Sequence, residues 1–407
     1  MKIIYLHQYF NTPSMPGGTR SFEIAKRLVS KGHIVHMVTS DCTPGIKKKG
    51  WYHTLESGIH VHWLANPYDN SFSFNKRIRS FFQFAIRSAI KAEQLGGDVV
   101  FATSTPLTIA IPGIYASKLN HIPMVFEVRD LWPELPIAVG ALKHPLLIAC
   151  AKLLEDIAYG CAKHVIALSP GMKQGVVKNG YAPNQISVIP NGCDFDLFDM
   201  PDNEIIAFRE KYHWLKDRPL VLYAGALGII NGVSYLAYVA DAVKKLDSSI
   251  RFLVVGTGKE ENKVRELANK LGILNQNFFM HPHTLKCDIP KYFKAADIST
   301  SLFIPLKPME ANSANKFFDS LASGTPVAIN YKGWQADLLI NNGAGIVLDS
   351  YNYQTAAKDI VQTLYNKTWL KTAGMAAKTL AIEHFSRDTL VDAFEKVLLN
   401  VVTGYRL

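Results

Sequence analysis

An α/β protein built as two Rossmann-like units is predicted by three features of this 407-residue sequence. Apolar runs of strand length alternate with longer segments of helical period, a pattern that requires parallel strands joined by crossover helices. The rhythm starts twice, at "KIIYLHQYF" and again at "PLVLYAGALG" (Pro219 to Gly228). The length also exceeds what one compact core accommodates.

In the first half, "KIIYLHQYF" reads as a buried strand and "TRSFEIAKRLVSKGH" as the helix that follows it. "IVHMVTS", "DVVFATS", "PMVFEVRD" and "HVIALS" are further strands, with longer segments between them. The second half repeats the scheme through "IRFLVVGTG", "NQNFFMHPH", "ADISTSLF", "TPVAINY" and "GAGIVLD". Between the halves, residues 191–218 contain "PNGCDFDLFDMPDNE", polar enough for a linker. Two such units facing each other place a ligand between the carboxyl ends of their strands. The last helical segment, "DTLVDAFEKVLLNVV", follows the second unit and is free by sequence to pack on either one.

Composition narrows the function classes. With 48% apolar and 19% charged residues the chain is globular. No apolar run reaches the roughly 18 residues of a spanning helix, and "MKIIYLHQYF" lacks a signal-peptide pattern. The five scattered cysteines, Cys42, Cys150, Cys161, Cys193 and Cys287, form neither a zinc spacing nor a disulfide framework, which predicts a reduced, cytoplasmic setting. The excess of ten basic residues suits nucleic acid, anionic lipid or phosphorylated substrates. No helix-turn-helix, zinc finger or aromatic RNA-binding motif is present, so nucleic acid is not expected. The thirteen histidines show no metal spacing. His281 and His283 flank a proline and read as loop residues, so no metal is assigned.

Four stretches carry possible chemistry. Gly17-Gly18, between the first strand and first helix, let the backbone approach a phosphate at a helix N-terminus, or simply turn. "VFEVRDLWPELP" ends a buried strand in Arg129, Asp130, Trp132 and Glu134, at the strand end where α/β enzymes place reactive groups. The bland alternative is an interdomain salt bridge from Arg129. "LYAGALGIINGVSYL" offers a second glycine-rich turn with Gly225, Gly228 and Gly232. "NSANKFFDSLASGTPVAIN" is a short helix with Asn315 at its start and Phe317, Phe318 and Leu321 directed at a core. Lys316 and Asp319 lie one turn apart on its other side. They make either a solvated ion pair or a site for a ligand both phosphorylated and hydroxylated: a cation at a helix start suits diphosphate, and a carboxylate accepts from vicinal sugar hydroxyls.

A further segment, Phe72 to Gln94, has Ile78, Phe81, Phe82, Ala85, Ile86 and Ala89 at helical spacing. Lys76, Arg77, Arg79, Arg87 and Lys91 flank that face. It reads either as a crossover helix buried on the sheet or as a helix resting on an anionic membrane.

These motifs resemble the GT-B fold glycosyltransferases of family four, over nearly the whole length. "GGTRSFEIAKRLVSKGHIVHMVTS" resembles their N-terminal glycine loop, helix and strand. "ISVIPNGCDFDLF" resembles their specific segment ahead of the interdomain linker, and "YAGALG" the start of their nucleotide domain. "FDSLASGTPVAIN" resembles their donor-site helix. The resemblance implies two Rossmann-like domains facing across a cleft, an acceptor-binding one over 1–195 and a nucleotide-sugar-binding one over 196–384. The terminal helix, about 385–407, is implied to return to the first.

The resemblance also implies a retaining transferase that needs neither cofactor nor metal. Its donor would be a nucleotide-sugar, UDP-linked on family habit, and its acceptor a polyprenyl-diphosphate-linked glycan in surface-polysaccharide synthesis. The enzyme would be cytoplasmic and peripheral on the inner membrane face. Donor binding is implied for Gly17, Gly18, Gly225, Lys316, Asp319, Glu310, Asn315 and His283, and chemistry for Asp130 and Arg129. Asp319 takes the place of a family glutamate that binds ribose hydroxyls. The family's other glutamate falls on Ala311, beside Glu310, and its diphosphate lysine on Asn231, which leaves Lys316 as the cation for that role. Two alternatives share the architecture: a sugar-nucleotide 2-epimerase, and a nucleotide-sugar binder with a decayed site.

Overall fold

The computed structural model describes residues 1–15, 17–43, 45–68 and 72–406. The chain divides into two compact units, Met1–Pro190 with Asp388–Leu407, and Asn191–Arg387.

The first unit holds an eight-stranded sheet of β1 (Lys2–Leu6), β2 (Ile34–Asp41), β3 (Trp51–Glu56), β4 (Ile59–Ala65), β5 (Val99–Thr103), β6 (Met124–Val128), β7 (His164–Ala167) and β8 (Ile186–Val188). Its order is β3-β4-β2-β1-β5-β6-β7-β8. Every pairing is parallel except β3 with β4, a hairpin turned at Ser57-Gly58. The helices are α1 (Arg20–Ser30), α2 (Phe74–Leu95), α3 (Ala110–Leu119), α4 (Glu134–Ala138), α5 (Pro145–Cys161) and α6 (Pro170–Lys178). From β1 the chain steps outward through β2 to the β3–β4 hairpin and then crosses back past β1 to β5, so α1 lies on one face while α2, α3, α5 and α6 form the layer on the other. The strands are near-continuous apolar runs because both faces are covered.

The second unit holds six parallel strands, β9 (Leu220–Ala224), β10 (Arg251–Val255), β11 (Phe278–His281), β12 (Ile298–Ser301), β13 (Val327–Ile329) and β14 (Gly345–Val347), in the order β11-β10-β9-β12-β13-β14. Its helices are α7 (Asp202–Glu210), α8 (Ser234–Leu246), α9 (Glu261–Lys270), α10 (Ile289–Ala295), α11 (Asn315–Ser323), α12 (Trp334–Asn342), α13 (Tyr353–Tyr365) and α14 (Lys367–Phe385). The last helix, α15 (Arg387–Arg406), packs almost wholly in the first unit, where Phe394 meets Phe101 edge-on at 4.7 Å. With α1 it closes the sheet face opposite to α2.

Three expectations change. The stretch from Asn191 is no loose linker but part of the second unit, so the boundary falls at 190/191 and not 195/196, and the return falls at 387/388 instead of 384/385. The cause is local: Asn191 is buried and its Nδ2 donates to the Ser313 carbonyl at 2.5 Å, while Cys193 N donates to the Phe385 carbonyl at 2.7 Å. The face read on the helix at 74–95 divides. Phe81, Ala85 and Ala89 are buried, joined by Phe84 and Ala92, whereas Phe82 and Ile86 are exposed. Phe82 and Ile86 lie a quarter turn beyond the row that meets the sheet. The hairpin β3–β4 and the short β8 were not anticipated.

Candidate active site: strand ends of the two units

In the second unit, the chain leaves β9 at Gly225 and re-enters a helix at α8. The turn is pressed against the exit of β10: a Cβ on Gly256 would lie 2.0 Å from the Gly225 carbonyl oxygen, and one on Gly258 would lie 2.5 Å from that of Leu227. Only glycine allows this approach, so the two exits form one fixed backbone ledge. Gly232, left-handed at φ +55°, ends the turn against Ile304.

Lys316, in the first turn of α11, reaches this ledge. Its Nζ donates to Asn231 Oδ1 at 3.0 Å and sits 5.0 and 5.5 Å from the ring centres of Phe303 and Tyr223. Gly225 is its neighbour, since a Cβ there would be 3.5 Å from Lys316 Cε. Burial pushes the ammonium down to about 8, so it stays mostly charged at neutral pH without a carboxylate partner. Asn231 thus holds a lysine delivered from another element.

Asp319 is also part-buried, and no ion pair joins it to Lys316 among the described residues. The solvated-pair reading is therefore replaced: each charge is displayed separately. Burial pushes the Asp319 carboxyl up to about 6, with Asp194 adding to the shift and Lys286 and Arg387 opposing it. Asp194 itself is held by Arg387 Nε at 2.6 Å and Lys286 Nζ at 3.5 Å. The opposite side of α11 is pure core, with Phe317, Phe318 and Leu321 fully buried, which fixes the direction of both charges.

The other donor-side candidates are not joined to this pair. Asn315 is exposed at the start of α11. Glu310 lies in the single 3-10 turn Lys307–Ala311, where its Oε2 accepts from Lys307 Nζ at 2.6 Å. Gly333, at φ +96°, packs on the Glu310 carbonyl, where a Cβ would come within 2.4 Å. His283 is exposed in the loop after β11, while His281 is half-buried among Tyr212, Trp214 and Tyr292.

In the first unit, Arg129 and Asp130 follow β6, beside the ends of β5 and β1 at the point where the strand order reverses. Arg129 Nη1 donates to His7 Nε2 at 3.0 Å, not to an acid, and its backbone N–H donates to Ser104 Oγ at 3.0 Å. A guanidinium can only donate, so His7 carries its proton on Nδ1. Burial, then Arg129, hold the imidazole neutral well below the usual histidine range. Its Nδ1 and both amide atoms of Gln8 are buried with no hydrogen-bond partner. Asp130 Oδ2 accepts from Thr105 Oγ1 at 3.1 Å, and burial raises its carboxyl above the ordinary range against the opposing effects of Arg129 and Thr105.

Beneath this group lies a buried ion pair, Arg20 Nη2 to Glu127 Oε1 at 2.8 Å. Thr103 Oγ1 donates to the other carboxylate oxygen at 2.5 Å, and Arg20 also donates to the carbonyls of Pro190 and Ile189. Gly17 and Gly18 are exposed just ahead of α1; Gly17, at φ +124°, passes Asn11 so closely that a Cβ would lie 2.6 Å from its Nδ2. Neither His7 nor Arg20 was anticipated. The signal for His7 was a polar residue immediately after the first buried strand. Among the described residues, no group of three His, Cys, Asp or Glu side chains is arranged to hold a metal ion.

Two Rossmann-like units, with charged side chains and glycine turns at their strand ends, make the architecture in which α/β enzymes bind ligands. Residues 17–197 match the Glycosyltransferase Family 4 domain and residues 204–379 the Glycosyl transferases group 1 domain. The chain belongs to the GT-B glycosyltransferases of family four. It is 22% identical to the putative colanic acid biosynthesis glycosyl transferase WcaI of Escherichia coli K12, over 66% of this chain and 69% of that one. It is also 22% identical to the capsular polysaccharide biosynthesis glycosyltransferase CapM of Staphylococcus aureus, over 70% and 72%. Among solved structures, Anabaena Alr3699/HepE in complex with UDP and glucose superposes with a TM-score of 0.74 at 18% identity, over 98% of this chain and 100% of that one. WaaG, a glycosyltransferase involved in lipopolysaccharide biosynthesis, superposes with a TM-score of 0.71 at 16% identity, over 97% and 99%.

Proposed function

We propose that this glycosyltransferase moves a sugar from a UDP-sugar to a polyprenyl-diphosphate-linked glycan in bacterial surface-polysaccharide synthesis, with retention of anomeric configuration. The observation that carries the reading is the display on α11: Lys316 and Asp319 are part-buried one turn apart and unpaired with each other. A lone buried ammonium beside a glycine ledge is suited to diphosphate, and a desolvated carboxylate to a ribose diol. The UDP complex of HepE and the polysaccharide roles named for WcaI and CapM support the choice of donor and pathway.

In this reading the second unit carries the donor. Lys316 offsets charge as it grows on the leaving diphosphate, which is where electrostatic preorganisation contributes most. The first unit carries the acceptor. Asp130, with its raised carboxyl, positions the acceptor hydroxyl or takes its proton, and Arg129, steadied by His7, stabilises nearby phosphate. The leaving diphosphate is a second candidate for that proton. No metal is required, because the ammonium and the α11 N-terminus supply the positive charge.

Calorimetric titration with UDP and GDP tests the donor half. UDP is expected to bind the wild type, more tightly than GDP, and at least tenfold more weakly to Lys316→Ala and Asp319→Ala. Absence of UDP binding, or binding indifferent to both substitutions, overturns the assignment. Incubation with UDP-sugars in chelator follows. Turnover only with acceptor is expected, and conversion of the nucleotide-sugar without acceptor would identify an epimerase instead.

A further inference from the structure

The side of α11 that carries Asp319 is met by three pieces of chain from within the second unit. The first is the segment from Asn191, where Cys193 Sγ donates to the Phe318 carbonyl at 3.2 Å and so brings the adjoining Asp194 to the turn that holds Asp319. The second is the end of α14. Phe385 packs edge-on against Phe318 at 5.0 Å. Two residues on, Arg387 donates from Nε to Asp194 Oδ1 at 2.6 Å and from Nη2 to the Gly192 carbonyl at 2.7 Å. The third is the loop "HPHTLKCD" between β11 and α10. α10 packs both on α11 and on the turn Phe195–Phe198, and from this loop Lys286 sets its Nζ 3.5 Å from Asp194 Oδ2. Two acids and two cations, Asp194, Asp319, Lys286 and Arg387, are thereby gathered from four places in the chain.

The four are not equivalent. Arg387 is buried and bound twice, to Asp194 and to a carbonyl, so it fastens the backbone of this segment. Asp194 is engaged by both cations. Asp319 has no hydrogen bond or ion pair among the described residues, which leaves its oxygens for a ligand. Lys286 has the looser contact, with 26% of its side chain exposed. After burial its charge is the largest influence on the Asp319 carboxyl, which it lowers; Asp194 raises it and Arg387 lowers it again. The Cys193 thiol, the other titratable group on this side, is kept protonated by burial and by Asp319. A carboxylate withdrawn from water loses its charge unless a cation stands near it. We propose that Lys286 is a positioning residue for the donor-binding carboxylate, a cation that touches no reacting atom and holds Asp319 in the anionic form that accepts from two hydroxyls. The inference rests on the donor reading of Asp319.

Carboxyl-carbon NMR of the full chain, labelled at aspartate and assigned with Asp319→Asn, reads this group without any ligand. The wild-type midpoint is expected at about 6. Lys286→Met should move it to about 7, and Lys286→Arg should restore it. Calorimetry with UDP then reads the consequence. Relative to wild type, Lys286→Met should bind about fivefold more weakly at pH 6 and nearly as well at pH 8, where both proteins carry the ionised carboxyl. A lysine that only braced the loop would weaken binding equally at the two pH values. A midpoint unmoved by Lys286→Met overturns the proposal. So does a loss of UDP affinity as large at pH 8 as at pH 6, which would make Lys286 a direct ligand contact. If the midpoint moves but UDP binds neither protein, the hold of Lys286 on Asp319 stands and the donor assignment fails.

Discussion

The two units present charge at their strand ends in opposite ways. In the first, Arg20 is matched to Glu127 in full burial, and Arg129 is matched to a neutral imidazole. In the second, Lys316 and Asp319 share one side of one helix yet do not neutralise each other. A buried pair is internally satisfied and fixes geometry, whereas a buried lone charge is costly unless a ligand completes it. The contrast is between a closed, fully buried ion pair in the first unit, Arg20 with Glu127, and two charges in the second, Lys316 and Asp319, that do not pair with each other and to which the proposed function assigns the donor.

The largest expected effect breaks the closed pair. Arg20→Met leaves Glu127 buried and unpaired, and should destabilise the protein by about 3–5 kcal/mol in urea denaturation. Lys316→Met should do the reverse, leaving the denaturation midpoint unchanged or slightly raised while kcat/KM falls by about two to three orders of magnitude. Equal loss of stability in both variants would erase the distinction between the units.

A smaller effect sharpens the ligand side through pH. The Asp319 carboxyl of the free protein is pushed up to about 6, and a ribose diol needs its ionised form. UDP affinity should therefore fall as pH drops through about 6, and calorimetry on Asp319→Asn should give binding about tenfold weaker with that slope removed. A slope that survives in Asp319→Asn would point to another titrating group.

The smallest expected effect concerns Glu155, buried on α5 with the Tyr159 hydroxyl donating to it at 2.8 Å. Burial first, then Glu134 and Asp156, raise its carboxyl to about 7, against the Tyr159 hydrogen bond. The folded state therefore holds a proton that the unfolded chain releases from about pH 4.5, so its contribution to stability is complete below that and lost as pH rises through about 7. Glu155→Gln should be more stable than wild type by about 1–2 kcal/mol at pH 8, and nearly equal to it at pH 4.5. Thermal melts at the two pH values read the difference.

Much of the fold was legible because parallel strands covered on both faces are unbroken apolar runs. Val99–Thr103, Leu220–Ala224 and Arg251–Val255 each sit inside a predicted strand. The β3–β4 hairpin escaped because Trp51–Glu56 is an edge strand, half exposed and interrupted by His53 and Thr54, and so lacks that run. On α11 the opposition of Phe317, Phe318 and Leu321 to Lys316 and Asp319 could be read from helical period alone. That Lys316 meets Asn231 could not, since 85 residues separate them and only the packing of α11 on β12, the neighbour of β9, joins them. His7 and Arg20 were missed for the same reason, their partners Arg129 and Glu127 being more than a hundred residues away. For α2 the apolar residues were identified but their assignment to sheet or solvent was not, because neighbouring rows of one helix differ by only a quarter turn.

The sequence by itself determined the two α/β units, the side of α11 that faces the core and the resemblance to family-four transferases, because these rest on local period and short motifs. Tertiary structure decided which charges are neutralised and which stand alone, that the segment from Asn191 joins the second unit, and that Asp194, Lys286 and Arg387 gather beside Asp319. Those properties depend on burial and on partners distant in the chain, and neither exists until the strands have been brought side by side.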